Sequence, residues 1–262
     1  MPLVPNHALC QLRAGKLAIG LGVRNARTVD IAQVAKTSGF DWLFIDCEHS
    51  SMDLDMAAQI SAASLGVGVT PLVRVAGLEH WHASRLLDNG AQGVVFPHIE
   101  NKEEALRAAN ACRYPPLGKR SMGGGLQQLG FASMPVGEAA RIVNDETLVV
   151  VMIESPQGVA NCEEIAAVQG IDALLIGTND LCFEMGIPGQ FNDPRVAQAY
   201  QKVIAACRKH GKFPGMGGMY TPELLERHIA MGVQLVLSGS DYNLIMTAGK
   251  QRADLVRGFE KK

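Results

Sequence analysis

Apolar residues come in short, nearly continuous runs separated by longer stretches of mixed polarity. Eight runs read as strands: KLAIGLGV (16–23), WLFIDCE (42–48), VTPLVRVA (69–76), GVVFPHI (93–99), TLVVVMIE (147–154), ALLIGTND (173–180), KFPGMGG (212–218) and LVLSGSD (235–241). They are rich in Val, Ile and Leu, as strands buried on both faces of a parallel sheet are. Between them the apolar positions recur at helical spacing. TVDIAQVAKTSG is expected to end at Gly39, LDMAAQISAASLG at Gly66 and HWHASRLLDNG at Gly90, each glycine suiting a left-handed C-cap. NKEEALRAANACR opens on an N-cap residue, Asn101, with Glu104 three residues on. PELLERHIAMG opens with Pro222 after Thr221, a cap followed by a first-turn proline.

Strand and helix alternate about eight times in 262 residues, which predicts α/β architecture: one (β/α)8 TIM barrel domain over 1–262. An open doubly wound sheet is the competitor, but no G-x-G-x-x-G joins an early strand to a helix. The glycines of MGGGLQQLG follow a Pro-Pro turn and read as loop. They belong to an unusually long connection at about 113–146, of the length that is commonly functional. The closing FEKK (259–262) is expected to fray.

Composition narrows the classes. Lys plus Arg number 24 and Asp plus Glu 26, a net charge of −2 that gives no case for nucleic acid or an anionic membrane surface. With 47% hydrophobic and 19% charged residues the chain reads as globular. No apolar run approaches the roughly 18 residues needed to span a bilayer, and the start lacks a basic and apolar leader pattern. The expectation is a cytoplasmic protein. Its six cysteines are scattered without C-x-x-C, so free, mostly buried thiols are expected.

In a (β/α)8 barrel chemistry sits at the C-terminal strand ends. There the sequence places Asp46, Cys47, Glu48 and His49 on strand 2, Arg74 on strand 3, His98 on strand 4 and Glu154 on strand 5. Strand 6 adds Asn179 and Asp180, and strand 8 adds Ser238, Ser240 and Asp241. Glu154 and Asp180 end adjacent strands, a carboxylate pair that suits Mg²⁺ or Mn²⁺, or alternatively caps the next helices. Asp46 three residues before His49 could fix an imidazole tautomer, or the pair could be a solvated acidic turn. Arg74 interrupts an apolar strand and needs either an anionic ligand or a structural carboxylate. His80 and His82 in EHWH do not share a helical face and read as solvated. Cys47 reads as a buried strand thiol.

Taken in order, FDWLFIDCEHSSMDLD, PLVRV, RYPPLGKRSMGGG, VMIESPQGVAN and IGTNDLCFEMG resemble the HpcH/HpaI family of class II pyruvate aldolases, over about residues 8–256. That family includes 4-hydroxy-2-oxoheptane-1,7-dioate and 2-keto-3-deoxy-sugar-acid aldolases. The resemblance implies a barrel of the phosphoenolpyruvate/pyruvate-domain type, assembled as a homohexamer, a trimer of dimers with the last helix packed on a neighbour. It implies a divalent metal (Mg²⁺, Mn²⁺ or Co²⁺) on Glu154 and Asp180, and no organic cofactor. Pyruvate would chelate that metal, Arg74 would hold its keto oxygen, and His49, oriented by Asp46, would act as acid and base. N–H groups at Asn179 and Asp180 would hold the carboxylate, with Met152, Thr178 and Gly217 also at the substrate.

Lysine agrees with the metal route: no predicted strand carries one in its interior, as a Schiff-base aldolase would require. The chain departs from many relatives at Met152, where they have Gln, at Thr178 and Asn179, where they have Pro and Ala, and at Cys47. Gly217 and Gly218 predict a roomier aldehyde pocket. The expected function is metal-dependent cleavage or formation of 4-hydroxy-2-oxo acids, giving pyruvate plus an aldehyde through a metal-stabilised enolate. Alternatives are an oxaloacetate decarboxylase, a macrophomate-synthase-like enzyme, a citryl/malyl-CoA lyase-like enzyme, or a non-catalytic oligomeric scaffold.

Overall fold

The structure is a computed structural model and describes residues 3–260, so the last two residues of FEKK lie outside it. Its centre is a closed parallel barrel: β1 (Ala18–Val23), β2 (Trp42–Asp46), β3 (Thr70–Arg74), β4 (Gly93–Phe96), β5 (Leu148–Ile153), β6 (Ala173–Gly177), β7 (Phe213–Gly217) and β8 (Leu235–Ser240). Each strand pairs with the next, and β8 closes on β1. All eight predicted strands are present. The helices are α1 (His7–Arg13), α2 (Ile31–Thr37), α3 (Leu54–Val67), α4 (His80–Asp88), α5 (Lys102–Cys112), α6 (Val136–Glu146), α7 (Pro156–Ala160), α8 (Cys162–Ala166), α9 (Thr178–Glu184), α10 (Pro194–His210), α11 (Pro222–Met231) and α12 (Asp241–Arg257).

Strand side chains alternate between two cores, because successive Cβ atoms point to opposite faces. Trp42, Phe44, Leu72, Val95, Leu148, Val150, Met152, Ala173, Leu175, Leu235 and Leu237 fill the barrel interior. Leu43, Ile45, Val73, Val94, Phe96, Val149, Val151, Leu174 and Ile176 face outward into the helical layer. The interior is closed at its N-terminal end by Ala8, Leu9 and Leu12 of α1, an element with no counterpart in the sequence reading. Asn6 holds that plug in place. Its side chain accepts from the Leu9 N–H (3.0 Å) and donates to the carbonyls of Gln92 (3.1 Å) and Glu146 (2.9 Å).

Three boundaries differ from expectation. α3 runs through Gly66 and stops at Gly68, whose φ of +70° makes it the left-handed cap. Nothing in the amphipathic pattern separates these two glycines. Thr178, Asn179 and Asp180, expected to finish strand 6, instead form the first turn of α9, so the strand passes into helix at Gly177 without a spacer. The connection at 113–146, expected to be loop, contains a 3₁₀ turn (Gln127–Leu129) and the 11-residue α6. It builds its own small core from Tyr114, Leu126, Leu129, Ala139 and Val143. Joining α5 to β5, it lies at the N-terminal strand ends, where Gln128 donates to the carbonyls of Leu87 and Ala91. In a barrel this end is opposite the chemistry.

Two glycines test this packing in opposite directions. At Gly93 an added Cβ would stand 2.2 Å from the Leu148 carbonyl oxygen, whereas at Gly66 it would meet nothing within 4 Å. Gly93→Ala is expected to cost at least about 1–3 kcal/mol. Gly66→Ala, in the interior of a helix, is expected to gain about 0.5–1 kcal/mol. Denaturant midpoints of the two variants check both signs.

Candidate active site

The inward-facing register carries functional groups onto the C-terminal mouth. Asp46 follows Trp42 and Phe44 on β2, Arg74 follows Leu72 on β3, and Glu154 follows Val150 and Met152 just past β5. The mouth encloses about 660 Å³, its open rim included, and is lined by Asp46, His49, Arg74, Met152, Glu154, Thr178, Asn179, Asp180 and Gly217 among others. The nine residues that the resemblance implies for the site thus all border one cavity, while Cys47, Glu48, His98, Ser238 and Asp241 do not line it.

The floor is a buried ion pair. Asp46 is fully buried and accepts from Arg74 Nε (3.0 Å) and Nη2 (2.8 Å). Arg74 Nη1 lies 2.8 Å from Glu48 Oε2, and its guanidinium carbon sits 5.0 Å from the centre of the Phe44 ring. Burial pushes the Asp46 carboxyl up, but Arg74 and the N–H groups of His49 and Glu48 outweigh it and hold it below the usual carboxylate range. Asp46 meets His49 through that backbone N–H (3.1 Å), not through the ring. The expectation that Asp46 orients the imidazole is therefore corrected: its oxygens are engaged by Arg74 and the turn. The His49 ring is about half exposed at the rim, 3.7 Å from Glu48 Oε2.

The opposite wall is electrostatically incomplete. Glu154 is buried, and its carboxylate accepts from the His98 N–H (2.9 Å), a residue held at a φ of +49°. Burial pushes Glu154 from an ordinary 4.5 up to about 7; the negative charge of Asp180 adds to this, and His98 and Arg74 oppose it. Gly177 makes this possible, because a Cβ there would stand 2.3 Å from Glu154 Oε1. Among the described residues no three His, Cys, Asp or Glu side chains gather into a metal cage. A buried carboxylate raised towards neutrality beside a second carboxylate nonetheless fits a divalent cation completed by water and substrate oxygens.

Other expectations sort differently. The Thr178 hydroxyl faces outward, bonded to the Tyr200 hydroxyl (2.8 Å) and the Gly217 carbonyl (2.9 Å), so it braces β6 against β7 and α10. Asp241 is taken up by the loop after β1, accepting from the N–H groups of Arg24 (3.0 Å), Asn25 (2.9 Å) and Ala26 (2.7 Å). Cys47, expected as a buried strand thiol, instead lies one residue past β2 and is half-buried, yet burial pushes its thiol up to about 12, which keeps it unreactive. Arg24, Tyr220 and Asn243 also line the mouth and were not singled out. Arg24 was open to discovery, since it continues the inward file Gly20, Gly22, Arg24 directly after β1.

A profile of the HpcH/HpaI aldolase/citrate lyase family matches residues 24–248. The chain belongs to that family. It is 40% identical to the 4-hydroxy-4-methyl-2-oxoglutarate aldolase of Chaetomium globosum, over 98% of this chain and 97% of that protein. It is 37% identical to the like-named enzyme of Hapsidospora irregularis, over 94% and 93%. The crystal structure of the HpcH/HpaI aldolase from Desulfitobacterium hafniense superposes with a TM-score of 0.91 at 28% identity, covering 96% and 97% of the two chains. Fold and family agree on an enzyme of the aldolase type, a carbon–carbon lyase.

The crowding at Gly177 gives this family member a sharp test. Gly177→Ala is expected to displace the Glu154 carboxylate and lower turnover by roughly 100-fold or more, the scale of losing one preorganised charge. The far-ultraviolet circular dichroism spectrum should stay that of the wild type; wild-type turnover would mean that Glu154 is not at the chemistry.

Proposed function

We propose that the chain cleaves and forms the C3–C4 bond of 4-hydroxy-2-oxo acids, with pyruvate as the common product. The observation that carries this reading is the pairing of a buried, proton-binding Glu154 with Asp180 across Gly177, facing the pinned Arg74. Glu154 and Asp180 would hold a divalent cation, Mg²⁺, Mn²⁺ or Co²⁺. When bound, that cation supplies positive charge at the keto and carboxylate oxygens of the substrate.

The chain's own groups supply the rest. Arg74, immobilised by Asp46 and Glu48, presents its charge to the keto oxygen where negative charge develops as the enolate forms. His49 at the rim takes the proton of the C4 hydroxyl during cleavage and returns it in synthesis. The N–H groups of Asn179 and Asp180 in the first turn of α9 meet the substrate carboxylate. Met152 forms an apolar wall beside the pyruvate methylene, and Gly217 leaves room for the acceptor.

No lysine lines the mouth among the described residues, and Lys212, at the start of β7, donates instead to the carbonyls of Val168 (3.3 Å) and Ile171 (2.8 Å). Schiff-base chemistry therefore has no candidate amine. Both named relatives are aldolases along nearly their whole length, and nothing favours the decarboxylase, CoA-lyase, macrophomate-synthase-like or scaffold readings. For assembly we propose the homohexamer. α12 exposes Tyr242, Leu244, Ile245, Met246, Leu255 and Val256, an apolar surface suited to a neighbouring subunit. A small-molecule substrate and a cytoplasmic location complete the proposal; among the described residues no helix is long and apolar enough to cross a membrane.

Pyruvate release from a 4-hydroxy-2-oxo acid, coupled to lactate dehydrogenase, is expected to vanish with EDTA and to return with Mg²⁺, Mn²⁺ or Co²⁺. Retention of full activity after exhaustive chelation would end the metal reading. Arg74→Ala is expected to lower kcat by about 100-fold or more. A threefold loss or less would make Arg74 structural.

The raised Glu154 carboxyl also sets a pH dependence. A proton held up to about 7 competes with the metal, so metal affinity measured by titration calorimetry should weaken as pH falls below about 7. The metal-free protein should behave oppositely. Its folded state binds the Glu154 proton more tightly than the unfolded chain, so this contribution to stability is full below about 4.5 and lost as pH rises through about 7.

A further inference from the structure

The charges of the mouth are unevenly distributed. Strands β2, β3, β5 and α9 bring Asp46, Arg74, Glu154 and Asp180. The side built by β7, β8 and β1 is nearly bare: Gly217 and Gly239 are open, with no neighbour nearer than 3.4 Å to a Cβ at the first and none within 4 Å at the second. On that side the lining contains one charged residue, Arg24.

Arg24 is held rather than loose. Its backbone N–H is fixed by the buried Asp241 (3.0 Å). Its Nη2 donates to the His49 carbonyl (2.9 Å), and its Nε lies 3.3 Å from Asp46 Oδ2. The third nitrogen, Nη1, has no hydrogen-bond partner among the described residues, and the side chain is about half exposed. Asp46 Oδ1 takes Arg74 Nε and two N–H groups and Oδ2 takes Arg74 Nη2, so Arg24 shares this carboxylate with Arg74 while its own Nη1 is left for a ligand. The Tyr220 hydroxyl lies within range of both Arg24 and Arg74, which oppose the upward push of burial on it.

We infer that Arg24 binds a carboxylate on C4 of the substrate, so that the acceptor half is itself a 2-oxo acid. This rests on the aldolase reading above. Because Arg24 is bonded to the backbone of His49, the group that takes the C4 hydroxyl proton, an anion it holds must be attached at C4 and not at the end of a long tail. The open glycine wall accommodates the remaining C4 substituent of a ketone acceptor. The reaction balances without a co-reactant. The C4 hydroxyl loses its proton, the C3–C4 bond breaks, and its electron pair becomes the enolate. C4 becomes the carbonyl of the second 2-oxo acid, and one proton returns to C3 to give pyruvate. A guanidinium suits this task because its planar fork matches a carboxylate.

The test compares two substrates on the intact, metal-restored protein: 4-hydroxy-4-methyl-2-oxoglutarate, which carries the C4 carboxylate, and 4-hydroxy-2-oxopentanoate, which lacks it. Pyruvate release gives kcat/KM for each. The wild type should prefer the carboxylated substrate, and Arg24→Met should collapse the preference ratio by roughly tenfold or more, the worth of one charged hydrogen bond. Arg24→Lys should recover part of the ratio. An unchanged ratio in Arg24→Met overturns the assignment, even if both activities fall through disturbance of His49. A wild type that turns over the uncharged substrate as well or better also overturns it, leaving the aldolase reading intact. Pyruvate from neither substrate overturns both.

Discussion

The site depends on one buried ion pair. Asp46 and Arg74 are register partners on neighbouring strands, so the parallel ladder itself brings their side chains together inside the barrel. Neither charge could be buried alone without a large desolvation cost. Together they satisfy one another, and the spare capacity of Asp46 organises what surrounds it. Its Oδ1 also receives the N–H groups of Glu48 and His49, which shapes the turn that carries the imidazole to the rim. One carboxylate therefore fixes the guanidinium on the floor and the location of His49 at the rim. Because Arg74 holds it well ionised, this arrangement does not loosen in the neutral pH range.

Across the mouth the logic is reversed. Glu154 and Asp180 repel, and the only hydrogen bond to the Glu154 carboxylate among the described residues comes from the His98 N–H, with the exposed His98 ring 3.7 Å away and Arg74 adding weak support. A folded protein keeps such an arrangement where a ligand completes it, since perturbed carboxylates in a cleft are characteristic of functional sites. The satisfied side positions, and the unsatisfied side receives. Gly177 is the steric condition for this, because only a residue without a Cβ lets Glu154 lie against the start of α9.

The strands and their closure were legible because the apolar runs are long, Val/Ile/Leu-rich and regularly spaced. The site was legible because a barrel directs polar strand-end residues to one mouth, and Asp46, Arg74, Glu154 and Asp180 are conspicuous beside apolar neighbours. What escaped has local causes. α6 follows a Pro- and Gly-rich stretch, which masks an amphipathic helix whose partners, Tyr114 and Leu126, are remote in sequence. The Thr178 hydroxyl was misdirected because its parity with the outward Ile176 outweighs its nearness to Asp180. A three-residue spacing suggests the His49 ring as the partner of Asp46, because spacing cannot show that the partner is a backbone N–H. Arg24 required the inward parity of β1 to be extended one step beyond the strand.

Arg113 and the arginines of the mouth are held in opposite ways. At the N-terminal end Arg113 is buried and fully engaged. It donates to the carbonyls of Gly170 (3.0 Å) and Thr147 (3.0 Å), to the Asn144 carbonyl and to Asp172. Its charge is absorbed where it stands, and it ties the connection at 113–146 to the strands. At the mouth Arg74 is engaged on one edge by Asp46 and Glu48 yet still borders the cavity, and Arg24 keeps a nitrogen free. Among these three the engagement, complete for Arg113, partial for Arg74 and least for Arg24, follows what each group must do. A charge that holds the fold together has to be neutralised before any ligand arrives. A charge that recognises a ligand has to be positioned by the fold but left for the ligand to neutralise, and the rigid loop pinned by Asp241 does that for Arg24.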